Sequence, residues 1–393
     1  MIVDPNKTRI ALVNQDLFRL GAQYVTSLIA EGLSKRGYQI DLVLSKVHEQ
    51  IAQERPDLSP FPIPEKVRVI HLPNLRASRN ILALSNYFRH AKPTIVIPMT
   101  PTYTRASVLA SFLTMRRLHI LPVEHSGGIV AYAKRRSIFP SRNICRRVGE
   151  RIFASWYLSR VDRIIAVSHG TADELRAVYG LHRTKISVVH NPVINEAFEK
   201  KRGCPPDHPW LMNGDIPVIV AAGAHVKIKG YDVLIRAFAE ILRHRQCRLI
   251  LFGEGAEHQN LVNLAMELGL KENISFPGYS QNLPGNIAKA SVFVVSSHFE
   301  SFSIVLIEAL ACRTPVVATN CQSGPPELLA GGKYGILVRP NDPDAMAKGI
   351  LQVLDGKGIV PPVGSWKPYC LDNIIDQYES VIREILTSPG ATT

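Results

Sequence analysis

The chain has 393 residues, 46% of them hydrophobic and 20% charged, a balance that excludes a disordered or fibrous protein and leaves room for two domains with separate cores. No run approaches the roughly 18 uncharged apolar residues of a membrane-spanning helix, and the opening MIVDPNKTRI lacks a segment of signal-peptide character. The six cysteines are scattered without a C-x-x-C pair, which argues against zinc or a disulfide framework and for a reducing cytoplasm.

The net charge of +13 is unevenly spread, since residues 1–200 carry 29 Lys and Arg against 15 Asp and Glu. The excess is densest from Lys134 to Arg163 and includes Lys134, Arg135, Arg136, Arg142, Arg146 and Arg147. Such a patch attracts a polyanion, whether nucleic acid, acidic lipid headgroups or a pyrophosphate; a solvated helix face explains it equally well at this point.

In chain order, β-favouring apolar runs at Arg9–Val13, Gln39–Leu44, Val67–His71, Thr94–Pro98, Leu118–Val123, Arg163–Val167 and Ile186–His190 predict buried strands. Helical patterns at Ala22–Arg36, Ser107–Arg116 and Ile144–Leu158 lie between them. A second series follows a polar, Pro-rich stretch at 196–216 that reads as a linker: Val218–Ala222, Arg248–Phe252, Ile274–Pro277, Val292–Ser296, Val316–Thr319 and Gly335–Val338, with helices such as Tyr231–Arg243 and Glu257–Leu268. Alternating strands and helices with near-continuous apolar strands predict an α/β protein. Two doubly wound, Rossmann-like domains, at 1–195 and 217–365, are expected to face each other across a cleft. The chain closes at 366–393 with a helical pattern over Ile374–Leu386.

The most informative stretch is VFVVSSHFESFSIVLIEALACRTPVVAT, Val292–Thr319, a strand, a polar corner, a helix from about Ile304 and a second strand. Glu300 sits in the corner and Glu308 in the second helical turn. The N–H groups of Ser301, Phe302 and Ser303 stand at a helix N-terminus, suited to an anion such as a diphosphate. A carboxylate beside them suits sugar hydroxyls, although a helix-dipole role for Glu300 is the simpler alternative. In AAGAHVKIKGYDVLIRAFAEIL, Ala221–Leu242, Gly223 ends a strand and the following loop offers Lys227 and Lys229 to phosphate oxygens.

LFGEGAEHQNL, Leu251–Leu261, places Gly253 and Glu254 in a comparable corner, where the glycines permit close backbone approach or simply a tight turn. Gly21 opens the first long helix, and no G-x-G-x-x-G or P-loop is present to support nicotinamide or ATP chemistry. Asp342-Pro343-Asp344 spells a D-x-D, but Asp followed by Pro at a helix start reads as a cap rather than a metal site. Glu124-His125 ends a first-domain strand, where a histidine can polarise or orient a reacting group or serve structurally.

Together and in order, Glu300-(x7)-Glu308, IEALACRTPVVAT, KGYDVLIRAF and CQSGPPELLAGGKYGILVRPNDP resemble glycosyltransferase family 4, the retaining GT-B enzymes, and especially the branch that builds lipopolysaccharide and capsule-type glycans. The resemblance implies that Glu300 binds hydroxyls of the transferred sugar, Glu308 holds the ribose, and Lys229 pairs with the diphosphate. Gly21, Gly223, Lys227, Gly253, Glu254 and Ser301–Ser303 would complete the donor site, and His125 would lie near the reacting carbon. Glu300, Lys229 and His125 are thus the expected catalytic residues. The first domain would take the acceptor, the second the nucleotide sugar, and the last helix would cross back to the first.

The sequence departs from the family pattern at Leu20, where a first glycine is usual, at Ala224 in place of arginine, and at Ser301 in place of glycine. The expected activity is transfer of a hexose or N-acetylhexosamine, from UDP-sugar by preference, to a growing lipid-linked surface glycan, with no metal or other cofactor. The expected location is the cytoplasm, peripheral at the inner face of an anionic membrane, with no nucleic-acid partner. A nucleotide-sugar epimerase, a phosphorylase or a degenerate, non-catalytic transferase is the alternative.

Overall fold

A computed structural model describes residues 4–17, 21–45, 61–73, 80–114, 117–125, 144–212 and 214–387. The chain divides into two compact units, Met1–Pro192 with Leu371–Thr393, and Val193–Cys370.

In the first unit, strands β1 (Arg9–Asn14), β2 (Gln39–Leu44), β3 (Arg68–His71), β4 (Ile95–Pro98) and β5 (His119–Ile120) form a parallel sheet in the order β3-β2-β1-β4-β5. Strands β6 (Val123–Glu124), β7 (Ile164–Ala166) and β8 (Ile186–Val188) form a separate three-stranded parallel sheet. The sequence predicts one strand over Leu118–Val123, and the structure breaks it into β5 and β6, in different sheets.

Pro122 is the reason. It has no N–H for a ladder and so cannot continue a central strand. The Leu121 N–H still donates to the Val96 carbonyl at 2.9 Å, whereas the Pro122 carbonyl accepts from Ile165 N–H at 2.8 Å, so the chain changes sheets within one dipeptide.

Helices α1 (Gly21–Lys35), α2 (Ile81–Ala91), α3 (Pro101–Phe112), α4 (Ile144–Ser159) and α5 (His169–Tyr179) belong to this unit. Helix α3 starts at Pro101, ahead of the expected Ser107, because proline in a first turn forfeits no helical hydrogen bond. Helix α2, not anticipated from the sequence, buries Leu84, Tyr87 and Phe88 in a core shared with Tyr103 and Ala106 of α3.

The second unit has strands β9 (Val218–Ala222), β10 (Arg248–Phe252), β11 (Ile274–Gly278), β12 (Val292–Val295), β13 (Val316–Thr319) and β14 (Ile336–Val338), all parallel, in the order β11-β10-β9-β12-β13-β14. The order reverses direction between β9 and β12, and in doubly wound sheets that switch point is where ligands bind, beyond the strand C-termini. Its helices are α6 (Glu196–Arg202), α7 (Tyr231–Leu242), α8 (His258–Glu267), α9 (Leu283–Lys289), α10 (Ile304–Cys312) and α11 (Pro343–Gln352).

The stretch 196–216 is not an open linker. It contains α6, which packs on α9, and Asp207, whose carboxylate accepts from Ser280 Oγ at 2.9 Å and from the Gln281 and Asn282 amides at 3.1 Å each. Asp342 caps α11 by accepting from Ala345 N–H at 2.9 Å, with Pro343 in the first turn.

The last helix, α12 (Leu371–Thr387), belongs to the first unit. Its buried stripe of Ile374, Ile375, Tyr378, Val381, Ile382 and Ile385 has the expected helical spacing, and it packs on α1. Gly32 of α1 allows the close approach, because a Cβ there would lie 2.3 Å from Ile375 Cγ1. Arg36 adds ion pairs to Asp376 at 2.7 Å and Glu379 at 3.6 Å. The exposed pair to Asp376 contributes roughly 0–1 kcal/mol, against about 1.5–3 kcal/mol for each buried aliphatic side chain, so the apolar stripe supplies most of the hold on the helix.

Candidate active site

The second-unit site is built where two loops meet at the switch point. After β9 the chain runs through Gly223 and a short turn at Lys227–Lys229 into α7. Gly230 joins turn to helix at φ 60, and a Cβ there would lie 2.3 Å from the Ser296 carbonyl oxygen at the end of β12, so only glycine fits. Two hydrogen bonds fasten the same seam: Ser296 Oγ donates to the Lys229 carbonyl at 2.8 Å, and His298 N–H donates to the Ile228 carbonyl at 2.8 Å.

That seam fixes where Lys229 points. Its Nζ donates to Glu300 Oε1 at 2.6 Å, and Ser297 Oγ donates to the same oxygen at 2.9 Å. Both partners are largely shielded from water, with side chains 24% and 8% exposed. Two residues singled out separately in the sequence are therefore in direct contact. An ammonium has three N–H donors and Glu300 uses one, which leaves donors for a second anion.

Beyond Glu300, Ser301, Phe302 and Ser303 are all buried and lead into α10, whose first turn contains no acidic side chain. Ser303 is the N-cap residue without a side-chain capping bond, and its buried Oγ has no hydrogen-bond partner. This end of α10 retains the positive pole of the helix for an anionic ligand. Glu308 lies one turn further on, with Oε2 buried and unpartnered. Burial pushes its carboxyl up to about 7, against a smaller opposing pull from Lys201.

The third corner follows β10. Gly253 has φ 118, and a Cβ there would lie 2.1 Å from the Gly223 carbonyl oxygen, so these two predicted glycines form one close backbone contact. Sequence reasoning missed His225. Its side chain is fully buried beside this contact, with Nδ1 3.1 Å from Nδ1 of His258 and the two rings stacked at 5.2 Å. Burial, then the neighbouring His258, lowers its pKa to about 4, so His225 is neutral at pH 7. The signal was a histidine just after Ala224, but nothing in the spacing pairs it with His258.

A family model for group 1 glycosyl transferases matches residues 208–361, and one for glycosyltransferase family 4 matches residues 20–196. The chain therefore carries a glycosyltransferase family 4 domain followed by a group 1 glycosyl transferase domain. Its relatives include the N-acetylgalactosamine-N,N'-diacetylbacillosaminyl-diphospho-undecaprenol 4-alpha-N-acetylgalactosaminyltransferase of Campylobacter jejuni, 28% identical over 56% of this chain and 58% of that protein. The chain spans 24%, 58% and 65% of the length of three curated relatives that it matches.

Among solved structures, sucrose-phosphate synthase from Thermosynechococcus elongatus superposes with a TM-score of 0.79 at 19% identity, over 97% of this chain and 100% of that one. HepE from Anabaena, solved with UDP and glucose, superposes with a TM-score of 0.74 at 19% identity, over 96% of this chain and 100% of that one. The fold is GT-B, with two Rossmann-like domains.

The remaining predicted residues of this glycosyltransferase fall as follows. Lys227 is exposed on the turn beside Lys229, and Glu254 follows Gly253, its carbonyl accepting from His225 N–H at 2.8 Å. Gly21 is the first residue of α1, in the first unit. His125 follows β6 in that unit, with neither ring nitrogen hydrogen-bonded, and burial lowers its pKa to about 4. Lys134, Arg135, Arg136 and Arg142, and the side chains of Arg146 and Arg147, lie outside the described residues.

Glu124, the neighbour of His125, is fully buried with both carboxylate oxygens unpartnered, and burial pushes its carboxyl from 4.5 up to about 8. The folded chain therefore keeps a proton at pH 7 that the unfolded chain releases. This contribution to stability is full below the ordinary carboxylate value and is lost as pH rises to about 8. Glu124→Gln, the shape of the neutral acid, is expected to melt higher than wild type at pH 8, by an amount on the order of a few kcal/mol at about 1.4 kcal/mol per unit. The gap should close at pH 5. Thermal melts at the two values check this, and a variant no more stable at pH 8 contradicts it.

Proposed function

We propose that the chain is a retaining, nucleotide-sugar-dependent hexosyl- or N-acetylhexosaminyltransferase that extends a lipid-linked surface glycan, with UDP-sugar as preferred donor. The observation that carries this reading is the Lys229–Glu300 contact at the switch point, directly before the N-terminus of α10. The Campylobacter relative, named for transfer onto a diphospho-undecaprenol glycan, and the UDP-bound HepE structure support the choice of acceptor and donor.

In this reading Glu300 accepts hydrogen bonds from sugar hydroxyls while Lys229 bridges it to the donor diphosphate. As the glycosidic bond breaks, negative charge grows on the leaving phosphate. Lys229, Lys227 and the amides of Ser301–Ser303 are set to stabilise that charge more than they stabilise the bound ground state. These cationic and N–H donors supply the neutralisation for which other enzymes use a metal, so catalysis is metal-independent here. Glu308 takes the ribose hydroxyls, which give its unpartnered oxygen a donor. His125, neutral at pH 7, orients the acceptor rather than carrying charge. The enzyme works peripherally at an anionic membrane face.

UDP-sugars are expected to raise the melting temperature by mass action, and UDP-sugar with a lipid-linked acceptor to yield an elongated product. Product formed without acceptor would indicate an epimerase, and product requiring free phosphate a phosphorylase. Failure of UDP-, GDP- and ADP-sugars alike to shift the melt, with no turnover, would overturn the reading.

A further inference from the structure

The first unit exposes a ridge of aromatic and aliphatic side chains where α3 and α4 pack together. Phe112, Leu113, Ile152 and Phe153 are 56%, 47%, 64% and 38% exposed. The rings form one stack: Trp156 lies 5.8 Å from Phe112 and 5.6 Å from Phe153, at interplanar angles of 25° and 14°. Large apolar groups gathered on a surface in this way mark an interaction site rather than scattered exposure.

Cations border the ridge. The Arg160 guanidinium sits 4.3 Å over the Trp156 ring. Arg160 and Arg117 also line a surface pocket of about 270 Å³ together with Phe112 and Ser111, on a floor of Val108, Leu118 and Ile120. Asp162, the acid in the field of Arg117, is engaged: it accepts from His119 Nδ1 at 3.0 Å and from Ile120 N–H at 2.9 Å. Arg160 spends Nη1 on the Trp156 carbonyl at 3.1 Å and keeps its other N–H donors for an outside anion.

We propose that this ridge and pocket form the membrane-docking surface, with Phe112, Leu113, Ile152 and Phe153 entering the headgroup–acyl boundary of an anionic bilayer and a lipid phosphate seated between Arg117 and Arg160. Charge complementarity selects that occupant: the apolar groups are edged by arginines, on the half of the chain that carries the whole positive excess. Aromatic rings with arginines at their rim match the layering of a bilayer surface, apolar below and phosphate above. The proposal rests on the peripheral location stated above but not on the transfer chemistry.

The test is sedimentation of the full chain with phosphatidylglycerol-containing and pure phosphatidylcholine vesicles. Wild type is expected to bind the anionic vesicles, to bind the neutral ones far less, and to release with salt. Arg117→Gln with Arg160→Gln should weaken binding by about 30-fold, since each cation near an acidic leaflet is worth roughly fivefold. Phe112→Ser with Phe153→Ser should weaken it at least as much. Both pairs should keep the wild-type melting temperature and its shift with nucleotide sugar. That retained shift separates loss of docking from failure of the proposed donor chemistry.

Bromolipid quenching of tryptophan emission should appear in wild type and largely vanish in Trp156→Phe. The proposal is overturned if neither pair changes vesicle binding, or if substituting Lys134, Arg135 and Arg136 alone abolishes it while the ridge variants bind normally. It is also overturned if the ridge variants instead dissolve a dimer seen by ultracentrifugation, or if the chain binds RNA and no vesicle.

Discussion

Replacing Lys229 with alanine is expected to reduce sugar transfer by about 10²–10³-fold, mostly in kcat, the range seen when one preorganised donor to a developing oxyanion is removed. The ammonium is held by Glu300 at 2.6 Å before any substrate arrives, so no reorganisation is needed when charge develops on the leaving phosphate. Glu300→Ala should cost a comparable factor for two reasons: it removes the hydroxyl acceptor and frees Lys229 from its seat.

The double variant is therefore expected to lose little more than either single one, because groups that act as a unit are not additive. Initial rates of nucleotide release with acceptor present measure all three. Rates within a few-fold of wild type for either single variant would remove the pair from the mechanism. A control accompanies Lys229→Ala, because it strips a side chain that is 8% exposed of its cation. Lys229→Arg, which keeps the charge and can still reach a carboxylate, should retain stability but not full rate, since its planar fork directs donors differently.

The Lys229–Glu300 contact also shows how far the sequence could be read. All six strands of the second unit were legible because a parallel sheet covered on both faces needs near-continuous apolar runs such as VIVAA, RLILF and VFVV. Glu300 and Lys229 were each legible as candidates from their loops. That they touch was not, since 71 residues separate them and the contact depends on the Gly230–Ser296 seam.

The first unit was harder to read. Leu118–Val123 looks like one strand, and only the backbone shows Pro122 passing the chain between sheets. Burial of charged groups leaves no local trace either: Glu124 has the same composition context as an exposed glutamate, and its unpartnered carboxyl emerges only from the packing around β6. The aromatic ridge joins residues of α3 and α4, whose sequence patterns read only as helices.

Glu308 yields the second large effect, and its sign follows from burial. With the carboxyl near 7 in the unliganded chain, about half the molecules are protonated at neutral pH. Ribose hydroxyls donate hydrogen bonds, which favour the charged carboxylate, so binding lowers its pKa and releases a proton. Nucleotide affinity should therefore climb as pH rises toward 7, approaching tenfold per unit well below that value, and flatten above it.

Glu308→Gln keeps the shape and one acceptor but cannot ionise. Its affinity should be independent of pH over the same range and about 10–100-fold weaker than wild type at pH 8, since hydrogen bonds to a charged acceptor are worth roughly 1.5–3 kcal/mol. Calorimetric titration with a UDP-sugar, whose diester diphosphate does not titrate in this range, at pH 6, 7 and 8 in buffers of different ionisation enthalpy measures both the affinity and the released proton. A wild-type affinity that is flat across the three, or a Gln variant that keeps the slope, would place the ribose away from this carboxylate. The solvent-shielded oxygen left unpartnered at Glu308 would then need another ligand to explain it.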